Sequence, residues 1–185
     1  MRPNMLRTLV PVGAVALVFF SSATARAQSG QASSADKSFV KNAIEGDNAE
    51  VELGQMAMTR GDSLDVKQFG KKMVDDHTQM GERMKAVAEQ IGVTPPKMMP
   101  HSDKALEMKL KMLSDGGFDR AYTKTMVKDH RQDLIDFKKE AAQGTSSVAK
   151  DAASQGAQII SSHLEMIQQI AQGHNVTVAQ NSNAK

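Results

Sequence analysis

Apolar side chains recur along most of this chain at spacings of three and four, the period of a helix that buries one stripe. The first stripe holds Phe39, Ala43, Gly46, Glu50, Leu53 and Ala57, with Asp36 as its expected cap, and stops at Arg60-Gly61-Asp62-Ser63. Glycine there ends one helix and serine opens the next. The second stripe holds Val66, Phe69, Met73, His77, Met80, Met84, Val87 and Ile91, and closes at Gly92 and Pro95-Pro96. Residues 93–117 form a connector rich in Pro, Met and Lys, with a short helix expected from Ser102 to Leu113 and a break at Asp115-Gly116-Gly117. The third stripe carries Phe118, Tyr122, Met126, His130, Asp133, Phe137 and Ala141, up to Gly144-Thr145-Ser146. The fourth carries Ala152, Gly156, Ile159, His163, Ile167 and Ile170, up to Gly173.

The pattern predicts an all-α four-helix bundle: two antiparallel hairpins, joined by a crossover segment that carries a short extra helix. The helical glycines Gly46, Gly54, Gly70, Gly81 and Gly156 are expected where helices approach closely.

The first residues follow a different order. Basic Arg2 and Arg7 lead into the apolar run Leu9 to Phe20 and then into small residues ending Ala25-Arg26-Ala27. That is the layout of a secretory signal peptide, cut before Gln28. The run is short for a bilayer span and no second one follows, so no integral membrane span is expected after cleavage. The domain boundaries read as signal peptide 1–27, a flexible linker 28–35, the helical domain 36–172 and a disordered tail 173–185. Loss of Arg2, Arg7 and Arg26, with no acid, takes the formal charge from +2 to −1. The basic excess belongs to the leader, so the domain carries no electrostatic footprint for nucleic acid.

The chain has no cysteine. In an exported protein this excludes a disulfide framework and thiolate chemistry, and leaves a metal site to His, carboxylate and Met. The segment from Phe69 to His77 matches that from Tyr122 to His130 as aromatic-x-K-x-M-V-x-D-H. Two helices therefore present an aromatic, a Met and a His at i, i+4 and i+8 on one face. His163 holds the corresponding place on the fourth stripe, and Glu50 is the only acid on the first. Counted from the two hairpin turns at ~1.5 Å per residue, partners within each hairpin differ by only about 5 Å in height.

Three neutral imidazoles and one carboxylate in a low-dielectric interior suit one transition-metal ion, Zn, Cu or Fe, with Glu50, His77, His130 and His163 as ligands. Asp133, one turn from His130, is the expected second-shell acceptor. A weaker alternative lies in the connector, where Met98, Met99, His101, Met108 and Met112 would suit Cu(I). The competing reading of the core layer is purely structural: a Glu and His hydrogen-bond network that fixes helix register in an interaction module. No phosphate loop, nucleophile elbow or zincin motif is present, which favours a non-enzymatic role.

The segments AEVELGQMA, KQFGKKMVDDHT, FDRAYTKTMVKDH and SSHLEMI, in that order behind a signal peptide, resemble the domain-of-unknown-function family DUF4142 over residues 36 to 172. The resemblance implies a ferritin-like helical bundle with a periplasmic or outer-membrane-associated address and no established activity. It assigns no ligand role and leaves homo-oligomers and protein partners open. Di-iron carboxylate bundles of that fold use Glu-x-x-His pairs. Here Val74, Val127 and Ile160 stand three residues before the histidines, which argues against a di-iron site.

Overall fold

The computed structural model describes residues 31–178, so the expected signal peptide and residues 179–185 of the expected tail lie outside the described residues. Five helices follow in order: α1 (Ser34–Arg60), α2 (Leu64–Gln90), α3 (His101–Lys111), α4 (Asp115–Gln143) and α5 (Ser147–Gly173). There is no strand among the described residues. No helix among them is long and apolar enough to cross a membrane. α1 packs on α2, α4 on α5, α2 on α5 and α1 on α4, which closes a four-helix ring, while α3 lies against α4 and α1.

Hydrogen bonds at the ends fix the topology. The turn between α4 and α5 meets the start of α1, because Asp36 accepts from the Thr145 N–H at 2.9 Å and the Ser146 N–H at 3.2 Å. The turn between α1 and α2 meets the start of α4, because Asp119 accepts from the Asp62 N–H at 3.0 Å and the Ser63 N–H at 2.8 Å. α4 therefore starts at the end of the bundle where α1 finishes and α2 begins. Residues 91–114 must cross the whole length, and α3 is the ordered part of that crossover.

Three local features depart from the sequence expectation. Ser33, rather than Asp36, caps α1. Its hydroxyl accepts from the Asp36 N–H at 3.1 Å while the Asp36 carboxylate accepts from the Ser33 N–H at 2.7 Å, a reciprocal capping box. Gly116 and Gly117 stand in the first turn of α4, where the Ser114 carbonyl accepts from Gly117 at 2.7 Å. The first helical N–H groups need no carbonyl one turn back, so glycine costs least there. Beyond α5, His174 pairs with Asp65 at 2.8 Å, and Val176 and Val178 pack on the core. The chain is thus held as far as Val178.

Gly54 and Gly70 bring α1 and α2 together as expected. A Cβ on Gly70 would lie 2.7 Å from the Gly54 carbonyl oxygen and 2.8 Å from Ala57 Cβ. A Cβ on Gly46 would meet nothing within 4 Å, so this glycine opens space instead of closing it.

Asp36 ties a helix start to the opposite hairpin. Burial raises its pKa, but the bonds from Thr145 and Ser33 outweigh that and hold the carboxyl below its ordinary 3.8. Asp36→Ala is expected to cost about 2 kcal/mol at neutral pH, the usual loss for hydrogen bonds to a charged acceptor. A depressed folded-state pKa means that the stabilisation is present above the unfolded value and lost as pH falls below it. Urea midpoints of the two proteins should therefore converge below pH 3.8; a constant gap would refute the assignment.

Candidate metal centre

The core falls into two apolar halves. One holds Leu53, Phe69, Met73, Phe118, Tyr122, Met126 and Ile167, the other Val40, Ile44, Met80, Met84, Phe137 and Ile160. Between them along the sequence of every long helix stands a buried polar residue: Glu50 on α1, His77 on α2, His130 on α4 and His163 on α5. The stripe period places one such group per helix, and the antiparallel hairpins bring them to a common level.

One ring nitrogen from each of His77, His130 and His163 lies within 4.8 Å of the others. The ring centroids are 5.3 to 5.8 Å apart, and His130 and His163 have no exposed surface. The second nitrogen of each ring is already engaged. His77 Nδ1 meets Asp47 Oδ1 at 2.8 Å, His163 Nε2 meets Asp76 Oδ2 at 2.6 Å, and His130 Nδ1 meets the Met126 carbonyl at 3.0 Å. A carbonyl only accepts, so Nδ1 of His130 carries the proton and Nε2 presents its lone pair. Burial raises Asp76, but bonds from Lys72 and His163 outweigh it and hold the carboxyl below its ordinary range, so the same logic leaves His163 Nδ1 bare; His77 Nε2 stands opposite the bond to Asp47, whose pKa burial raises. These three nitrogens are the buried ring atoms without a hydrogen-bond partner.

Burial, together with the neighbouring rings, holds His130 well below the ordinary imidazole range. Burial lowers His163 to about 4 against the opposing bond to Asp76. Both rings are neutral at physiological pH, the form that ligates a metal. A register-fixing network would satisfy its own buried atoms. Here each ring keeps one buried nitrogen without a partner while its other nitrogen meets an oxygen, the arrangement by which proteins fix metal-binding imidazoles. The donor set fits an imidazole-bound transition ion.

Glu50 is brought to the edge of this triad. Its Oε1 lies 3.9 Å from His130 Nδ1, the nitrogen committed to Met126, and its Oε2 has no partner. Burial, reinforced by Asp133 and Asp129, raises its pKa well above the carboxylate range. The neighbouring Tyr122 hydroxyl is fully buried, has no partner and is pushed up by burial and by Glu50.

Asp133 does not serve as the acceptor for His130, because that ring donates to the carbonyl four residues back on its own helix. Asp133 instead lines a cleft of about 270 Å³ with Asp47, Glu50, His77, Asp136 and Phe137. Gly46 also lines this cleft. Burial and Asp129 raise Asp133 to about 7. The acceptors missed by sequence reasoning are Asp47 and Asp76. The buried face of α1 keeps Ala43, Glu50, Leu53 and Ala57 of the expected stripe and adds Val40, Ile44 and Asp47. The D-H pair common to the two matching segments was the signal for Asp76. In the connector, Met98, Met108, Met112 and His101 are exposed and Met99 is half-buried, so they build no enclosed coordination sphere.

An all-helical bundle with a buried triad of half-committed imidazoles is the class of protein this site defines. The chain belongs to the family defined by a domain of unknown function, DUF4142, which matches residues 21–170. It matches no curated protein. Among solved structures it is similar to one described as a secreted DUF305 protein from Streptomyces coelicolor, at 15% identity and TM-score 0.67, covering 80% of this chain and 98% of that one. It is also similar to one described as a spore coat protein of Bacillus halodurans, at 9% identity and TM-score 0.64, covering 83% and 96%. A third is CopM in its Cu(II)-bound form, at 16% identity and TM-score 0.63, covering 75% and 96%. At these identities the likeness establishes the helical fold.

Proposed function

We propose that this chain is an exported, periplasmic metal-handling protein that binds one transition-metal ion through His77, His130 and His163, with Glu50 as the adjacent fourth group. The carrying observation is that His77, His130 and His163 each offer a ring nitrogen within 4.8 Å of the others and each hold one buried nitrogen without a hydrogen-bond partner. Nitrogen and oxygen donors without thiolate favour Cu(II) or Zn(II), and Cu(II) stands highest in the general affinity order. That CopM was solved with Cu(II) on a similar fold supports the same choice. The cleft beside Glu50 reaches His77 and carries the carboxyl groups of Asp47, Asp133 and Asp136 in its lining. Export rests on the leader pattern of residues 1–27, and metal handling fits a compartment served by a cysteine-free site.

The direct test is metal content. Protein purified without a His tag and dialysed against equimolar Cu(II) or Zn(II) is expected to retain one ion per chain. The triple variant His77→Ala/His130→Ala/His163→Ala should retain none, and the corresponding triple His→Gln variant, which keeps polar groups in the layer, should also retain none. Equal content in all three would overturn the proposal.

A further inference from the structure

A second groove, separate from the histidine layer, lies between α3 and α4. Its apolar lining is Leu106 and Leu110 from α3 and Ala121 and Val127 from α4, and Val178 closes it from the segment after α5. Leu110 and Val127 are each 1% exposed, whereas Leu106, Ala121 and Val178 are half-buried, so the lining opens from core to surface. The enclosed space is about 500 Å³, within the ~300–1,000 Å³ of small-molecule sites.

The polar lining has one sign. Lys109, Lys124, Lys128 and Arg131 border the groove, and no carboxylate among the described residues belongs to the lining. Lys124, Lys128 and Arg131 stand at i, i+4 and i+7, one face of α4. A domain whose formal charge is −1 after leader removal thus gathers four cations around an apolar slot. The cleft at His77 differs, with carboxyl groups of Asp47, Glu50, Asp133 and Asp136 beside Lys139 in its lining. Asp129 lies beside Lys128, which lowers its pKa while burial raises it to about 6; this carboxyl is not part of the groove lining.

We propose that the α3–α4 groove binds a free long-chain fatty acid, its acyl chain along Leu106, Leu110, Ala121 and Val127 and its carboxylate between Lys124 and Lys128. The apolar floor suits methylenes, each contributing roughly 0.8 kcal/mol when buried. The cation row suits one anionic head, since charge-assisted bonds to a carboxylate are the stronger class. Helix α3 is not one of the four helices of the ring, and here it supplies one wall of a binding site.

The test uses hexadecanoate with the mature chain in calorimetric titration. One hexadecanoate per chain is expected. Lys124→Glu/Lys128→Glu, both exposed positions, should weaken binding about tenfold or more, one decade corresponding to a single good charge-assisted contact. Ala121→Phe, which fills the floor, should abolish binding, with thermal midpoints showing that both variants fold. Hexadecanol should bind more weakly than hexadecanoate, and the triple histidine variant should bind it unchanged. No binding, or binding indifferent to both groove variants, would overturn the proposal. So would capture of phosphatidylglycerol vesicles without uptake of free hexadecanoate, which would assign the cations to a membrane surface. If only a chain ended after Val178 bound, the groove would belong to the residues that follow.

Discussion

Saturation with Cu(II) or Zn(II) is expected to raise the thermal midpoint by about 10 °C, and a chelator is expected to reverse it. A ligand that binds only the folded state, at a free concentration ~1,000-fold above its Kd, contributes about 4 kcal/mol. For a domain of this size each kcal/mol moves the midpoint by ~2–4 °C. The imidazoles of the unfolded chain are dispersed, so the condition of selective binding holds. The pH dependence separates this site from adventitious surface binding. Exposed histidines take up protons below pH ~6.5 and lose metal there. In the folded chain burial holds His163 neutral down to about 4 and His130 well below its ordinary range. Metal should therefore be retained from pH 7 to pH 5 and released as pH approaches 4. Metal-free protein behaves differently. Its unfolded state binds protons below 6.5 that the folded state refuses, so its stability falls with acidification through that window. A midpoint indifferent to chelator would leave the histidine layer with a structural role only.

Replacing the buried carboxylate should produce two changes of opposite sign. Burial raises Glu50 well above its ordinary 4.5, and Asp133 and Asp129 raise it further. An acid whose folded-state pKa is raised removes stability as pH climbs above the unfolded value, because the unfolded chain ionises first. Metal-free Glu50→Gln is accordingly expected to exceed the natural protein by about 2 kcal/mol at pH 8, the scale on which relief of a buried charge stabilises proteins. The difference should vanish near pH 4.5. Metal affinity should move the other way, falling ~10–100-fold, as when a group supporting a metal site is removed. Binding to the natural protein should also release a proton that the variant does not, read as a heat that varies with buffer ionisation enthalpy. A variant less stable than the natural protein at pH 8, or one with unchanged proton release, would refute this account of Glu50.

The parts of this structure visible in the sequence are those set by period. Glu50, His77, His130 and His163 each interrupt an apolar stripe; the three rings stand with centroids 5.3 to 5.8 Å apart, and Glu50 approaches His130 at 3.9 Å. The two hairpins and the crossover followed from breaker positions. What could not be read depends on which partner each buried polar side chain finds. Asp47 follows Gly46 and looks like a solvent-facing acid until α1 turns it inward to His77. Asp133 stands one turn from His130 in sequence, yet the ring found its acceptor in the Met126 carbonyl, which every helix supplies and no pattern reveals. Val176 and Val178 lie among polar neighbours, where two apolar residues carry no periodicity, and only the packed surface shows them to be anchored.

Asp36 and Asp119 have a significance beyond their own helix starts. Each grips the turn of the hairpin to which it does not belong, one at either end of the bundle. Two hairpins joined only by a long connector could slide past one another by a helical turn, and such a slip would scatter the imidazoles of α2, α4 and α5. Clamped at both extremities, they are fixed in axial phase. The triad is in this sense tuned from a distance: the spacing among three rings at mid-height is set by two carboxylates at the poles, neither of which touches a histidine.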